Sequence, residues 1–419
     1  MPEDYFVKEI KLAEQGRKNI EWAEMQMGAL LEVKKRFEKE KALKGIRIGM
    51  ALHVTKETAV LVRTLIAGGA EVAITGCNPL STQDDVAAAL AEEGVKVWAY
   101  KGETKEDYYK FLTNVINFKP NITIDDGCDL VNEIHKNHPD LITNIKFGNE
   151  ETTTGIIRLK AMEKDKALKY PIIAVNDLAT KHLFDNFYGT GASTIDGITR
   201  ATNILLAGKT FVVCGYGQCG KGVALRAKGM GANVIVTEID NLKALQAKMD
   251  GFRVMPIKEA AKEGEIFVTV TGNKHVIDTG HIKLMKEGTI LANSGHFDIE
   301  INVEGLEKMA VKKRQIRPNL DEYTLKDRKK VFLIGSGRLC NLAAAEGHPS
   351  VVMAQSFCGQ ALAVEYGLKN PDKLKVGVNE LPKEIDDKIA ELQLEALDVK
   401  KDTLSEVQKK YLSSWNEGT

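Results

Sequence analysis

Residues 209–222 read KTFVVCGYGQCGKG, with Gly215, Gly217 and Gly220 spaced GxGxxG. That spacing is common by chance in a chain with 36 glycines, but here its surroundings fit a purpose. An apolar run precedes it, a helix-like stretch over 221–229 follows, and a second apolar run, NVIVTE, ends in Glu238. One glycine permits a tight turn, one lets backbone approach a pyrophosphate at a helix N-terminus, and one lets helix pack on strand. An acid about 20 residues further on accepts hydrogen bonds from an adenosine ribose. Gly215, Gly217, Gly220 and Glu238 therefore read as a dinucleotide site. A carboxylate at 238 repels a 2′-phosphate and favours NAD over NADP, a preference that Lys243 tempers.

Other residues could move protons. Lys181 and Asp185 are spaced i, i+4 and share a face if their segment is helical, although such pairs are ordinarily surface salt bridges. Asp126 in IDDGCDL follows an apolar run, where sites form at the carboxyl ends of parallel strands, while Asp125 and Asp129 read as loop caps. His53 ends IGMALH and His296 ends LANSGH, so two imidazoles could converge on one cleft. His135, His138, His182, His275 and His281 read as structural. By pattern Thr152, Thr153 and Thr154 form a β-rich turn. The six cysteines are scattered without CxxC pairs, which fits reduced thiols and no metal site.

These residues need elements to hold them. A chain of 419 residues exceeds one ordinary core and favours two domains. A long charged helical stretch over 9–44 leads into GIRIGMALHVT, GAEVAITGCNP, VKVWAY and NITIDDGCD, alternating with helix-like segments. A second such unit carries the glycine loop, VIVTE, EIFVTVTG, GTILANSG and KVFLIGSG. The fold class is α/β, with two Rossmann-like, doubly wound parallel-sheet domains and a helical C-terminal tail. The expected division is 1–185 plus 345–382 for a substrate domain, 190–344 for the NAD domain, and 383–419 for an oligomerisation tail. KYPIIAVNDLATKHLFDNFYGTG reads as a strand and a polar crossing between units, and the stretch after Asn341 as a helix returning to the first. Lys plus Arg and Asp plus Glu both number 58, so no net field draws the chain to nucleic acid or to an anionic membrane. The charged start MPEDYFVKEIKLAEQG has no apolar core, which predicts neither signal peptide nor anchor and a cytoplasmic protein.

Several blocks in order, ALHVTKETAVL, NPLSTQDDVAAAL, IDDGCDL, EETTTGIIRLKAM, AVNDLATKHLFDN, SGHFDIEI, GRLCNLAAAEGHPS and YLSSWNEGT, together resemble the S-adenosylhomocysteine hydrolase family over about residues 10–419. The likeness is to shorter members, without the Lys- and Tyr-bearing C-terminal extension. It implies a homotetramer, tightly held NAD and a nucleoside thioether substrate. It also implies oxidation of the 3′-hydroxyl, loss of homocysteine, addition of water and re-reduction. By the same resemblance Lys181 and Asp185 serve the 3′-hydroxyl, Lys181 as proton acceptor with a pKa lowered by desolvation. Asp126 serves the 4′ hydrogen, and His53 and His296 lie near the 5′ carbon and ribose. Thr55, Glu57, Glu151 and His348 contact substrate. Thr152, Thr153, Thr154, Asn186, Lys243, Thr271, Gly272, Ser294, Gly295 and Asn341 line the cofactor. The chain departs from the family pattern at Gly335-Ser336-Gly337, where Ala-Glu-Gly is common, and at Lys243, where Asn or Arg is.

Thr55 and Glu57 in HVTKETA favour an adenosyl over an inosyl substrate, because a carboxylate accepts from the exocyclic amine of adenine. Of two rival classes, a non-catalytic NAD-binding regulator would lack Lys181, Asp185, Asp126 or His53, all four of which are present, and a dehydrogenase that releases NADH would need a weakly held cofactor.

Overall fold

The computed structural model describes residues 4–418. Its first sheet runs, edge to edge, Tyr5–Val7, Lys96–Ala99, Glu71–Thr75, Arg47–Ala51, Ile122–Asp125, Phe147–Glu150, Pro171–Ala174 and Gly377–Asn379. All of these pairings are parallel. Strands buried on both faces need apolar residues on both. Accordingly Ile48 and Met50 join one core and Ala51 the other, on opposite sides of the sheet.

The second sheet runs Arg253–Val254, Asn233–Thr237, Thr210–Cys214, Ile266–Thr269, Thr289–Asn293, Lys330–Ile334, Leu320–Leu325 and Ala310–Arg317. Phe211 and Val213 pack to one side, Val212 and Cys214 to the other. This sheet is not wholly parallel as the sequence suggests. Its last two strands pair antiparallel, because connections too short for a crossover helix force hairpins.

Three further expectations change. The helical stretch over 9–44 is broken into Ala13–Glu24 and Gly28–Glu40. The crossing between units is no polar loop: Ala179–Lys181, a π-helical segment His182–Gly189 and Thr190–Thr202 follow one another without a break. Glycines on both sides let this run press against the helix Gln218–Gly229: a Cβ on Gly191 would lie 2.6 Å from the Gly222 carbonyl oxygen, and one on Gly222 would lie 1.9 Å from the Phe187 carbonyl oxygen. Of the tail expected over 383–419, the helix Lys383–Ala396 belongs to the first unit. Its Ile389 is fully buried, and Ala396 sits where a side chain on Gly28 would be. The returning helix is Ser350–Lys369.

Candidate functional site

Among the parallel strands of each sheet the order reverses once, and both reversals supply site residues at carboxyl ends. In the first sheet the switch lies between Arg47–Ala51 and Ile122–Asp125, which release His53 and Asp126 into one crevice. In the second it lies between Thr210–Cys214 and Ile266–Thr269, which release the glycine loop and Thr271. The two crevices face each other. One pocket is lined by His53, Thr55, Glu57, Asp126, Glu151, Thr152, Lys181, Asp185 and Asn186, and, from the second unit or the return to the first, Ser294, His296, Asn341 and His348.

Asp126 stands between the imidazoles, with Oδ2 3.4 Å from His53 Nε2 and Oδ1 3.5 Å from His296 Nδ1. Ser81 donates its hydroxyl to the Asn78 carbonyl at 3.0 Å, so its oxygen accepts from His53 Nδ1 at 2.7 Å. The proton on Nδ1 leaves the Nε2 lone pair facing Asp126 and the pocket. Burial, opposed by Asp126, pushes the His53 pKa down to about 4, so the ring is neutral at physiological pH. Cys77 Sγ lies 3.2 Å from Nδ1, and one ligand atom from each of His53, Cys77 and Asp126 falls within 4.8 Å, a grouping the cysteine spacing did not reveal.

Lys181 is buried, with Nζ 3.4 Å from Asp185 and 3.9 Å from Glu151, and it donates to Asn186 Oδ1 at 2.9 Å and Asn176 Oδ1 at 3.2 Å. Here the expectation fails. Desolvation does pull Lys181 down, but Asp185, Glu151 and Asp126 outweigh it and hold the amine above its ordinary value. Asp185 also faces His348 Nδ1 at 3.3 Å; burial alone would raise its pKa, yet Lys181 and His348 hold it below the usual carboxylate range. Glu151 moves the other way: burial lifts it to about 7, against Lys181 and the hydrogen bonds from Ser356 and from Gln360 at 2.5 Å.

The threonines are not a turn. Thr152 precedes the helix Thr153–Lys164, Thr153 donates to Asn176, and Thr154 Oγ1 lies 3.6 Å from where a Gly272 side chain would start. This juxtaposition joins the two units. Thr55 caps the helix Lys56–Ala67, and Glu57, 2% exposed, accepts from Ser350 Oγ at 2.6 Å and faces Lys56 Nζ at 3.4 Å. His348 Nε2 is 3.4 Å from both Thr190 Oγ1 and Asn341 Nδ2, while Ser294 Oγ is 2.6 Å from Thr194 Oγ1.

The cofactor side fits a dinucleotide. Gly215 takes φ 109°, a side chain at Gly220 would strike the Gly215 carbonyl at 2.1 Å, and nothing lies within 4 Å of a Cβ on Gly217. Glu238 accepts from the backbone of Tyr216 at 2.7 Å, of Ile239 at 2.7 Å and of Asp240 at 3.0 Å, which fixes the carboxylate beside the loop. Lys243, in the first turn of Asn241–Met249, is exposed nearby. Asn341 Oδ1 is buried without a partner, an open acceptor for an amide donor.

Sequence reasoning missed the residues beneath. Asn293, fully buried, accepts from Gly295 N at 2.8 Å and donates to Gly295 O at 3.0 Å, to Phe297 O at 2.9 Å and to Gly337 O at 2.9 Å, fixing the loop that carries His296. Glu300 accepts from Thr271 N and Oγ1 and from Gly272 N, and it fills the space beside Gly295. Glu150 accepts from Gly127 N at 2.8 Å and Thr152 N at 3.0 Å. Only a buried polar residue inside an apolar run signalled any of them. His135, by contrast, is structural as read: its Nδ1 is 2.7 Å from Val131 O, and Nε2 accepts from Lys169 N at 3.0 Å.

Fold and site together define an enzyme of two α/β units in which a dinucleotide loop faces a buried acid–base cluster. Residues 4–148 match the family model described as S-adenosyl-L-homocysteine hydrolase, and residues 186–347 match its NAD binding domain. The adenosylhomocysteinase of Aquifex aeolicus is 59% identical, the alignment covering 99% of this chain and 100% of that one. The adenosylhomocysteinase of Sulfolobus acidocaldarius and the S-inosyl-L-homocysteine hydrolase of Methanocaldococcus jannaschii are each 57% identical, again over 99% of this chain and 100% of their own. The chain belongs to the S-adenosyl-L-homocysteine hydrolase family and carries its NAD-binding domain.

Proposed function

We propose that this enzyme catalyses the reversible hydrolysis of S-adenosyl-L-homocysteine to adenosine and L-homocysteine. The observation that carries the reading is Asp126 held between His53 and His296, in the same pocket as Lys181, Asp185 and Glu151. NAD, when bound, supplies reversible hydride exchange at the 3′ carbon of the ribose, and Gly215, Gly217, Gly220, Glu238, Thr271, Gly272, Asn186 and Asn341 are the residues that would hold it.

The ammonium of Lys181 stabilises the 3′ oxygen as its proton leaves. Glu151, with a carboxyl near 7, is matched to take that proton at neutral pH, and Asp185 keeps the lysine charged and oriented. Once C3′ is a ketone the 4′ hydrogen is acidic, and Asp126 is the base aimed at it. His53 Nε2, 3.4 Å away, can receive that proton and pass it to the departing sulfur, then deprotonate the water that adds at the 5′ carbon. His296 closes the other side of Asp126 from the second unit.

Glu57 favours adenosine: both of its contacts use Oε1, and Oε2 remains for the adenine amine. Lys56 could serve the hypoxanthine carbonyl instead, but Glu57 and Glu346 already hold its ammonium. A mispaired buried group costs about 1–3 kcal/mol, so the adenosyl thioether should be preferred about ten- to a hundredfold. Incubation with adenosine and homocysteine, followed by kcat/KM for the adenosyl and inosyl thioethers, tests both parts. No thioether formation sinks the reaction; preference for the inosyl compound sinks the base assignment. The same reading includes a cytoplasmic homotetramer. Six free thiols and the exposed Val407, Tyr411, Leu412 and Trp415 of the tail support it, and light scattering of the purified protein would test the assembly.

A further inference from the structure

Glu103 has no place in the steps above. It precedes the helix Lys105–Asn117, is 5% exposed, and neither of its carboxyl oxygens has a hydrogen-bond partner. A second side chain nearby is in the same condition: Thr82, 1% exposed, whose Oγ1 is also unpartnered. Both look onto one spot. A Cβ built on Gly76 would lie 3.2 Å from Thr82 Oγ1 and 3.6 Å from Glu103 Oε1, so the missing side chain leaves room between two unused polar groups.

The spot is tied to the catalytic cluster. The loop that follows Gly76 reaches His53 through Cys77 and Ser81, at 3.2 Å and 2.7 Å. The segment leading to Glu103 is fixed on the other side, by Gly102 N donating to Pro79 O at 2.7 Å and Lys101 Nζ donating to Ala343 O of the second unit at 2.9 Å. Arg338, which adjoins Leu339 of the pocket lining and pairs with Asp298 at 2.9 Å, is close enough to act on the Glu103 carboxyl. A buried acid, a hydroxyl and a neighbouring guanidinium suit a zwitterion. In the proposed reaction the group beyond the sulfur is one: an α-ammonium beside an α-carboxylate.

We propose that Glu103, with Thr82 beside it, receives the α-ammonium of the amino-acid tail carried on the substrate sulfur, and so selects zwitterionic thiols. The inference rests on the proposed function. Burial lifts Glu103 to about 8, as expected for an acid awaiting its cation. An ammonium placed there returns it to the charged form, exchanging a lone buried acid for a charge-assisted pair.

The test uses the synthetic direction with full-length enzyme holding NAD. Adenosine condenses with L-homocysteine or with 4-mercaptobutanoate, which has the same thiol and carboxylate but no ammonium. Glu103→Gln should lower kcat/KM for homocysteine about ten- to a hundredfold while changing that for 4-mercaptobutanoate less than about threefold. Thr82→Val, a milder change, should lower homocysteine use in the same selective way. Loss shared equally between the two thiols, or none in either variant, would overturn the assignment. Adenosine alone should reduce bound NAD normally in both variants, because that half-reaction needs no thiol. If wild-type enzyme fails in that control, the proposed function fails, independently of Glu103.

Discussion

Lys181 and Asp126 occupy one pocket, and because the proposed mechanism gives them different moments, substitution should separate them. Lys181→Met removes the ammonium that steadies the 3′ oxygen, so adenosine should no longer reduce bound NAD, a change read in the near-ultraviolet. Asp126→Asn should leave that reduction in place and abolish exchange of the 4′ hydrogen with solvent. Equal loss of NAD from both variants would reduce the two residues to structural roles. Glu238 makes a third case. Its carboxylate is held by the backbone N–H of Tyr216 in the glycine loop and by that of Ile239, so Glu238→Ser should both weaken NAD and shift preference toward NADP by about 1.4 kcal/mol or more, that is, at least about tenfold in the ratio of dissociation constants. Glu150 carries the pH prediction. Burial, reinforced by Asp125 and Asp126, raises its pKa well above the ordinary value. The folded chain therefore keeps a proton that the unfolded chain releases above its own pKa, and stability falls as pH rises from about 4.5 toward the folded value. Glu150→Gln keeps an acceptor for Gly127 and Thr152 without the proton, so its melting temperature should decline less between pH 5 and pH 8 than that of wild type.

At the scale of elements, the turn after Ile122–Asp125 decides whether Asp126 and His296 can meet. Gly127 takes φ 105°, and a Cβ there would sit 2.2 Å from His296 Nε2. Gly127→Ala should cost about 1–3 kcal/mol in strain and, by displacing the imidazole about an ångström, about a hundredfold or more in kcat/KM, with NAD still bound. A variant that kept full activity would show that His296 is not needed where it stands. This turn also marks how far sequence carries. The strands, the glycine loop with Glu238, and the placing of Asp126 and His53 beyond strand ends were legible, because apolar runs and glycine spacing are local signals. Lys181 with Asp185 was legible as a pair, but not the sign of the lysine's shift, which is set by Asp185 together with Glu151 and Asp126, both arriving from strand ends distant in sequence. Likewise Asn293 and Glu300 act through loops distant in sequence, and the π-helical His182–Gly189 was hidden by the polar residues that made the segment read as a crossing.

For the molecule as a whole, chemistry requires two units to present one cluster, and Arg158 is one of the residues that span them. It rises from the helix Thr153–Lys164 of the first unit, donates to the Gly127 carbonyl and to Asp129 Oδ1 at 2.6 Å, and lies 5.3 Å from the ring centroid of Phe297 in the second. Phe297 adjoins His296, and Gly127 adjoins Asp126, so one guanidinium steadies both neighbours of the reacting pair. Burial lowers its pKa, but Asp129 more than restores it, and the cation persists at any working pH. Replacing Arg158 with Met keeps bulk against the ring and removes the charge and the donors. The expected result is a loss of about tenfold or more in kcat/KM, concentrated in exchange of the 4′ hydrogen, with adenosine still able to reduce bound NAD. A double-mutant cycle with Phe297→Leu separates the link between units from the hold on the Asp126 turn. A coupling of about 0.5–2 kcal/mol in transition-state free energy would be the contribution of the contact across the cleft. Additive effects would instead place the whole influence of Arg158 within the first unit, on the turn that carries Asp126.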